Sequence, residues 1–441
     1  MTPSPALPYS LQMRDLKYLT RPKKNLLQRH WRTVLLGTVL ILLLVPLTIL
    51  LVHKGAQAVS TWQSARHQTV SKARPVPLGD ELFRVADSLL PVQVPAGEPV
   101  LTAAAADGTI LSYTIDVALQ RRVQDFLEMT RPPYAVFVAM EPATGRVLAL
   151  TGYSSVDPAW QHSAAYQVYP MASLFKMVTA AAALESRQIT PDSVMEYRGR
   201  VASESPKNWD PSRKGRNHRM DLTDAMGKSV NPIYGLIASD LLGKEQLQQA
   251  CNRFGFNRSL LLPGVPAMPS PAPVVETAEE LRLQGSGLNH DLRVSPIHAV
   301  AITAALANRG TLMAPLLIDH AMRDGKALQV PTPRKLLQVV SPETAENLSR
   351  MLLTTVTSGT SRKAFNNPQG RQLLNTMQIA AKTGSITGDS HKGHYSWFAA
   401  FAPAEQPRIA LVALVINGEK WRIKASQVGE LALTSYFKAD R

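Results

Sequence analysis

Residues 170–185 read Pro170-Met-Ala-Ser173-Leu-Phe-Lys176-Met-Val-Thr-Ala-Ala-Ala-Ala-Leu-Glu185. From Leu174 onward the stretch is apolar and alanine-rich, which is the composition of a buried helix, and Pro170 just upstream suits a helix start. A spacing of three residues sets Ser173 and Lys176 on one face, where an amine can touch a hydroxyl. Met171, Leu174, Phe175, Met177 and Val178 surround the pair. Apolar surroundings disfavour an ammonium ion, so Lys176 is expected to be neutral and able to act as a base. The helix N-terminus adds a potential that favours the oxyanion formed when a serine attacks a carbonyl. Ser435-Tyr-Phe-Lys438 repeats the S-x-x-K pattern near the end of the chain but has none of this context.

Two further strings carry matching chemistry. Ser229-Val-Asn231 offers a hydroxyl for proton relay and an amide to orient a peptide bond. Lys382-Thr383-Gly384-Ser385 offers a cation and two hydroxyls for a carboxylate, with a glycine that lets a ligand backbone come close. This second string ends a strand-like stretch, Gln378–Thr383, and a strand edge binds extended peptides through main-chain hydrogen bonds.

Strand signals occur at Tyr134–Met140 and Val147–Leu150, around a hairpin at Glu141–Gly145, and then only near the end, at Gln378–Thr383, Trp397–Ala402 and Ile409–Ile416. Val117–Met129 and Ala425–Lys438 are helix-like, and the interval from Ser173 to about Val356 has mostly helical periodicity. Early and late strands are expected to share one sheet. The fold class is therefore α+β: an antiparallel sheet flanked by helices, with a mainly helical subdomain, preceded by one transmembrane helix.

That last element is read from Val34–Val52, nineteen uncharged residues. At about 1.5 Å per helical residue the stretch approaches the ~30 Å hydrocarbon core. Residues 1–32 carry seven Lys or Arg against Asp15, so they form a cytoplasmic basic tail and everything beyond the span is exported. The domains are then a tail (1–32), a transmembrane helix (33–53), a juxtamembrane stalk or small subdomain (54–110) and a catalytic domain (111–441). Ala56-Gln-Ala58 would suit signal cleavage, but the apolar run exceeds an ordinary signal core of about 7–15 residues. A bacterial cytoplasmic membrane with a periplasmic or otherwise extracytoplasmic catalytic domain is the expected location.

The 441 residues carry a net charge of +15, which points to anionic surroundings. Export argues against nucleic acid as the partner. The cations Lys207, Arg213, Lys214, Arg216 and Arg219 crowd one loop, read as a solvated surface or as a contact with anionic wall polymer or lipid. Gly227-Lys-Ser229 ends like a phosphate-binding loop, but the required earlier glycine is Leu222. His391 and His394 lack a third ligand, so no metal and no cofactor is expected. The lone Cys251 can form no internal disulfide.

The motifs S-x-x-K, S-x-N and K-T-G, in this order, resemble those of the penicillin-recognising serine enzymes, and specifically the monofunctional, class B-like penicillin-binding protein transpeptidases. Ser112–Asp116, Met140–Ala149, Gly285-Ser-Gly287, Val294-Ser-Pro296, Ala307–Gly310 and Ser396–Pro403 extend the resemblance over roughly residues 110–440. The resemblance implies a peptidoglycan D,D-transpeptidase fold and activity. Ser173 would be acylated at the D-Ala-D-Ala end of a stem peptide, Lys176 would be its base, and Ser229 would protonate the leaving amine. Asn231 would orient the acyl group, while Lys382, Thr383, Gly384 and Ser385 would form the substrate-binding edge. The backbone N–H groups of Ser173 and Ser385 would make the oxyanion hole. Implied partners are peptidoglycan stem peptides, β-lactam antibiotics, the cytoplasmic membrane and a glycan-polymerising membrane protein. A D,D-carboxypeptidase, a β-lactamase-like hydrolase and a non-catalytic cell-wall scaffold are the alternatives.

Overall fold

The computed structural model describes residues 81–438 except 96, 262, 263, 389 and 390. The basic tail and the apolar span at 33–53 lie outside the described residues. Among the described residues no helix is long and apolar enough to cross a membrane.

Five antiparallel strands form the central sheet: β1 (Tyr134–Met140), β2 (Val147–Ser154), β3 (Ala380–Gly388), β4 (Gly393–Ala402) and β5 (Ile409–Asn417). Their order is β3-β4-β5-β1-β2, so the two early strands join the three late ones through β5 and β1, as expected. The hairpin between β1 and β2 turns at Gly145, whose N–H donates to the Glu141 carbonyl at 2.9 Å. Gly145 has φ +82°, and a Cβ there would sit 2.1 Å from the Ala314 carbonyl oxygen, so the turn needs glycine twice over.

Both faces of the sheet are covered. Val136, Val138, Met140, Val412 and Leu414 face one cluster, with α6 (Pro296–Ala307), a helix buried at every position. Ala135, Phe137, Leu411, Ala413 and Val415 face the other, with α1 (Val117–Thr130) and α8 (Ala425–Lys438). Burial on both sides explains why β5 reads IALVALVI without polar alternation. The helical subdomain comprises α2 (Lys176–Glu185), α3 (Leu222–Lys228), α4 (Asn231–Leu236) and α5 (Ala278–Ser286), with α7 (Pro342–Thr357) packed on α3 and β3. Side-chain caps start several helices: Asp221 accepts from the Asp224 N–H, and Thr277 with Glu280 forms a reciprocal capping box.

Three expectations need correction. The middle of the chain is not free of strands: Val194–Tyr197 pairs with His218–Asp221, and Ile318–Arg323 joins a four-stranded sheet with Thr102–Ala104, Ile110–Tyr113 and Lys326–Leu328. These strands are mostly three or four residues long, too short for a hydrophobic period to mark them, so tertiary pairing makes them. The boundary placed after residue 110 runs through the strand Ile110–Tyr113. The strand carrying Lys382 runs on to Gly388, because an edge strand tolerates the Gly-Ser-Ile-Thr-Gly that reads as a loop.

Gly429 lets α8 lie directly on the sheet: a Cβ there would be 2.2 Å from Cδ1 of Phe398, a ring with no solvent exposure. Gly429→Val should therefore destabilise the protein by about 1–3 kcal/mol through overpacking. Urea unfolding checks this, with a lower midpoint and an unchanged slope.

Candidate active site

Ser173 lies in a tight 3-10 turn, Ala172–Phe175, that runs straight into α2. Pro170 does not open the helix as expected. It belongs to a two-residue strand paired with Arg293–Val294, and its carbonyl accepts the indole N–H of Trp397 on β4 at 2.8 Å. Between Pro170 and Ser173 the backbone takes an unusual step: Ala172 has φ +52°. A left-handed conformation costs a non-glycine residue roughly 1–2 kcal/mol. Packing maintains it, for Gly287 abuts this point so closely that a Cβ there would lie 2.1 Å from the Ala172 carbonyl oxygen. The tight turn also matters chemically. Side chains at i and i+3 eclipse in a 3-10 turn, and Lys176 Nζ lies 2.7 Å from Ser173 Oγ.

Lys176 is fully buried. Its Nζ also lies 2.7 Å from Asn231 Oδ1 and 2.6 Å from the Ser286 carbonyl oxygen. Burial holds its pKa well below the ordinary 10.5, and the neighbouring Lys382 pushes in the same direction. A neutral amine has two N–H donors and one lone pair. Asn231 Oδ1 and the Ser286 carbonyl accept only, so they take both protons, and the lone pair is left for the Ser173 O–H. The Asn231 amide is oriented from its other end, where Nδ2 donates to the Ser203 carbonyl at 3.1 Å and its backbone N–H donates to the Val201 carbonyl at 2.9 Å.

Ser229 caps α3 in the left-handed region, φ +57°, which turns its side chain toward the edge strand. Lys382 Nζ donates to Ser229 Oγ at 2.8 Å and to the Thr383 carbonyl at 2.8 Å. Lys382 is also fully buried, and burial lowers its pKa to about 7. Thr383 is half-buried and Ser385 exposed on the same strand. Gly384 faces the nucleophile turn: a Cβ there would come 3.2 Å from Ala172 Cβ and 3.4 Å from the Ser173 nitrogen.

Seven of the eight expected residues thus meet in one cleft between the helical subdomain and the free edge of β3, and Ser385 follows them on that strand. What the motifs did not reveal is carried by backbone. The Ser286 carbonyl holds Lys176, the Val201 and Ser203 carbonyls hold Asn231, and Gly287 holds Ala172. Gly285-Ser-Gly287 was visible only as a resemblance; a carbonyl acceptor has no residue-type signature. Elsewhere, His391 packs edge-on to Tyr134 with ring centroids 4.6 Å apart, and His394 stacks on Trp421 at 5.5 Å. Among the described residues no group of three or more His, Cys, Asp or Glu could hold a metal. Ser435 lies far along the chain in α8, and the loop cations Lys207, Arg213, Lys214, Arg216 and Arg219 are exposed.

Burial of Lys382 has a consequence for stability. The unfolded chain keeps this proton up to the ordinary pKa of 10.5, whereas the folded protein releases it at about 7. Between these values the unfolded state binds more protons, so stability rises with pH. Replacing Lys382→Met should flatten the rise in urea midpoint between about pH 7 and 10. An unchanged rise would mean that Lys382 stays charged when folded.

The chain is similar in sequence and fold to known proteins. The family model for the penicillin binding protein transpeptidase domain matches residues 135–431, from β1 to α8. Peptidoglycan D,D-transpeptidase PbpA of Mycobacterium tuberculosis is 27% identical over 353 residues, covering 70% of this chain and 68% of the relative. Stage V sporulation protein D of Bacillus subtilis is 25% identical over 340 residues, covering 70% of this chain and 50% of the relative, so the chain spans about half the length of that protein. The crystal structure of PBPA from Mycobacterium tuberculosis superposes with a TM-score of 0.62 at 24% identity, over 75% of this chain and 83% of that one. The imipenem acyl-enzyme complex of penicillin-binding protein A from the same organism gives 0.60 at 24% identity, over 74% and 79%. The extent of the match, together with the fold it spans, shows that this chain belongs to the penicillin binding protein transpeptidase domain family.

Proposed function

We propose that this chain is a peptidoglycan D,D-transpeptidase that works through an acyl-serine and is a target of β-lactams. The observation that carries the reading is the Lys176 amine, buried and held between Ser173 Oγ, Asn231 Oδ1 and the Ser286 carbonyl. An amine so held has little other use than to take a proton from the serine. Similarity to relatives that are peptidoglycan D,D-transpeptidases supports the same reaction.

In the reaction, Ser173 Oγ attacks the carbonyl carbon of the D-Ala-D-Ala peptide bond while its proton passes to Lys176 Nζ. The C–N bond then breaks, Ser229 delivers its proton to the leaving amine and is reprotonated by the Lys176 ammonium, and D-Ala departs with Lys176 neutral again. An amine of a neighbouring stem attacks the resulting ester and forms the new amide bond, its proton passing to Lys176 and from there to Ser173 Oγ as the C–O bond breaks. Lys382, Thr383 and Ser385 bind the donor's terminal carboxylate, and the Ser173 and Ser385 N–H groups stabilise the oxyanion. A β-lactam enters the same path, but its leaving amine stays tethered to the acyl group.

The apolar run at 33–53, with basic residues before it, supports a single-pass anchor in the cytoplasmic membrane with the catalytic domain outside. Cross-linking acts on glycan strands, so a glycan-polymerising membrane protein is its natural partner.

The test is incubation of the full chain with a fluorescent penicillin, followed by intact mass and peptide mapping. A long-lived adduct on Ser173 is expected, absent in Ser173→Ala and formed about 10²–10⁴-fold more slowly in Lys176→Met. Rapid turnover of the adduct would make the chain a hydrolase, and no adduct would make it a scaffold. The rate should also depend on pH in two ways. Acylation requires neutral Lys176, so it should fall as pH drops through that residue's lowered pKa. Above about pH 7 the free protein loses the Lys382 cation, so the second-order constant should bend down for a carboxylate-bearing ligand. Stopped-flow acylation from pH 5 to 10 reads both limbs.

A further inference from the structure

The loop that follows α7, Ser358-Gly-Thr-Ser361, reaches the cleft without belonging to any of the three motifs. It is brought there by glycines. Gly359 lies so close to α3 that a Cβ would be 2.2 Å from the Gly227 carbonyl oxygen, and Gly227 lies so close to α7 that a Cβ would be 2.4 Å from Thr354 Oγ1. The Thr360 N–H donates to that same Gly227 carbonyl at 3.0 Å, and Thr354 Oγ1 donates to the Thr223 carbonyl at 3.0 Å. Backbone contacts therefore tie the loop to the helix that Ser229 caps.

The Thr360 side chain takes no part in that anchoring. It is exposed, and its Oγ1 lies 2.6 Å from Thr383 Oγ1 on the edge strand. Two hydroxyls at this distance share one hydrogen bond. Whichever donates, the other keeps its O–H for something outside the pair. The pair therefore presents one outward donor on the strand that also carries Lys382, and it stops the Thr383 hydroxyl from rotating freely. A fixed, exposed O–H suits an anionic ligand with a planar pair of acceptors.

We propose that Thr360 is a specificity-determining positioning residue, which fixes the Thr383 hydroxyl so that the cleft selects acyl donors ending in a free carboxylate. This rests on the acyl-serine reading above and adds to it a residue outside the motifs. Thr360 contributes nothing to proton transfer, since Lys176 and Ser229 are satisfied without it. Its effect is confined to ligands that carry the carboxylate.

The experiment compares acylation of the full-length protein by penicillin G and by its methyl ester, which has the same reactive ring but no anion. In Thr360→Val, which removes the hydroxyl and keeps the shape, the second-order acylation constant for penicillin G should fall about tenfold. That for the methyl ester should change less than about twofold, and Thr360→Ser should restore the discrimination. Equal losses on both ligands would mean that Thr360 merely supports the fold of the cleft, and no loss on either would mean that Thr383 needs no partner. Each of these outcomes overturns the proposal while leaving Ser173 acylation intact. A wild-type protein that takes up neither compound would refute the acyl-serine reading, and this inference with it.

Discussion

A lysine amine with no access to water is the constraint around which the cleft is built. Lys176 would cost several kcal/mol to keep charged where it sits, and it escapes that cost by being neutral. Neutrality alone would not make it a base for Ser173. Its direction comes from the two oxygens, Asn231 Oδ1 and the Ser286 carbonyl, that occupy its N–H groups and leave the lone pair facing the serine. Each of those oxygens is held in turn: Asn231 by carbonyls of the loop before α3, and Ser286 as the last residue of α5. Three helices and a loop thus contribute to the protonation state of one nitrogen.

The second lysine sharpens the arrangement. Lys382 and Lys176 are both fully buried, and a charged Lys382 raises the cost of charging Lys176. The folded protein gives up two solvated cations for two buried groups that hold hydroxyls, Lys176 neutral and Lys382 charged only up to about pH 7, a trade of stability for reactivity. A carboxylate arriving at β3 changes the balance, since an anion beside Lys382 favours its ammonium form. In the proposed reaction, carboxylate binding and the proton held at Lys382 are therefore linked.

Geometry of this kind needs a rigid support, and the five-stranded sheet supplies it. Its inner strands are buried on both faces, and the start of β3 packs into both hydrophobic clusters through Ala380 and Ala381, so β3 cannot shift without disturbing them. The indole of Trp397 joins the sheet to the nucleophile turn through the Pro170 carbonyl, and Gly384 allows the turn to lie against the strand. Ala172 and Ser229 both sit at positive φ, on either side of the cleft. Backbone in that region persists only where the surroundings over-determine it, and here close glycine contacts and a helix C-cap do so.

Much of this was legible in one dimension because it depends on residue type and spacing. Apolar runs such as Tyr134–Met140 and Ile409–Ile416 mark strands buried on both faces, and the alanine-rich stretch after Ser173 marks a buried helix. The i, i+3 relation of Ser173 and Lys176 is a local property of any tight turn or helix. Other features have no such signature. Short strands such as His218–Asp221 exist because a partner strand is near, Pro170 is drawn into a strand pair in place of a helix start, and the reach of β3 to Gly388 is set by β4. The distance from Lys176 to Asn231 spans 55 positions of chain, and that from Lys382 to Ser229 spans 153. Sequence alone determined which side chains could do the chemistry, since a hydroxyl, an amine and an amide are properties of single residues. Only the tertiary structure decided which carbonyls hold them and which lysine has its lone pair free for the serine, because burial and direction arise when distant segments pack together.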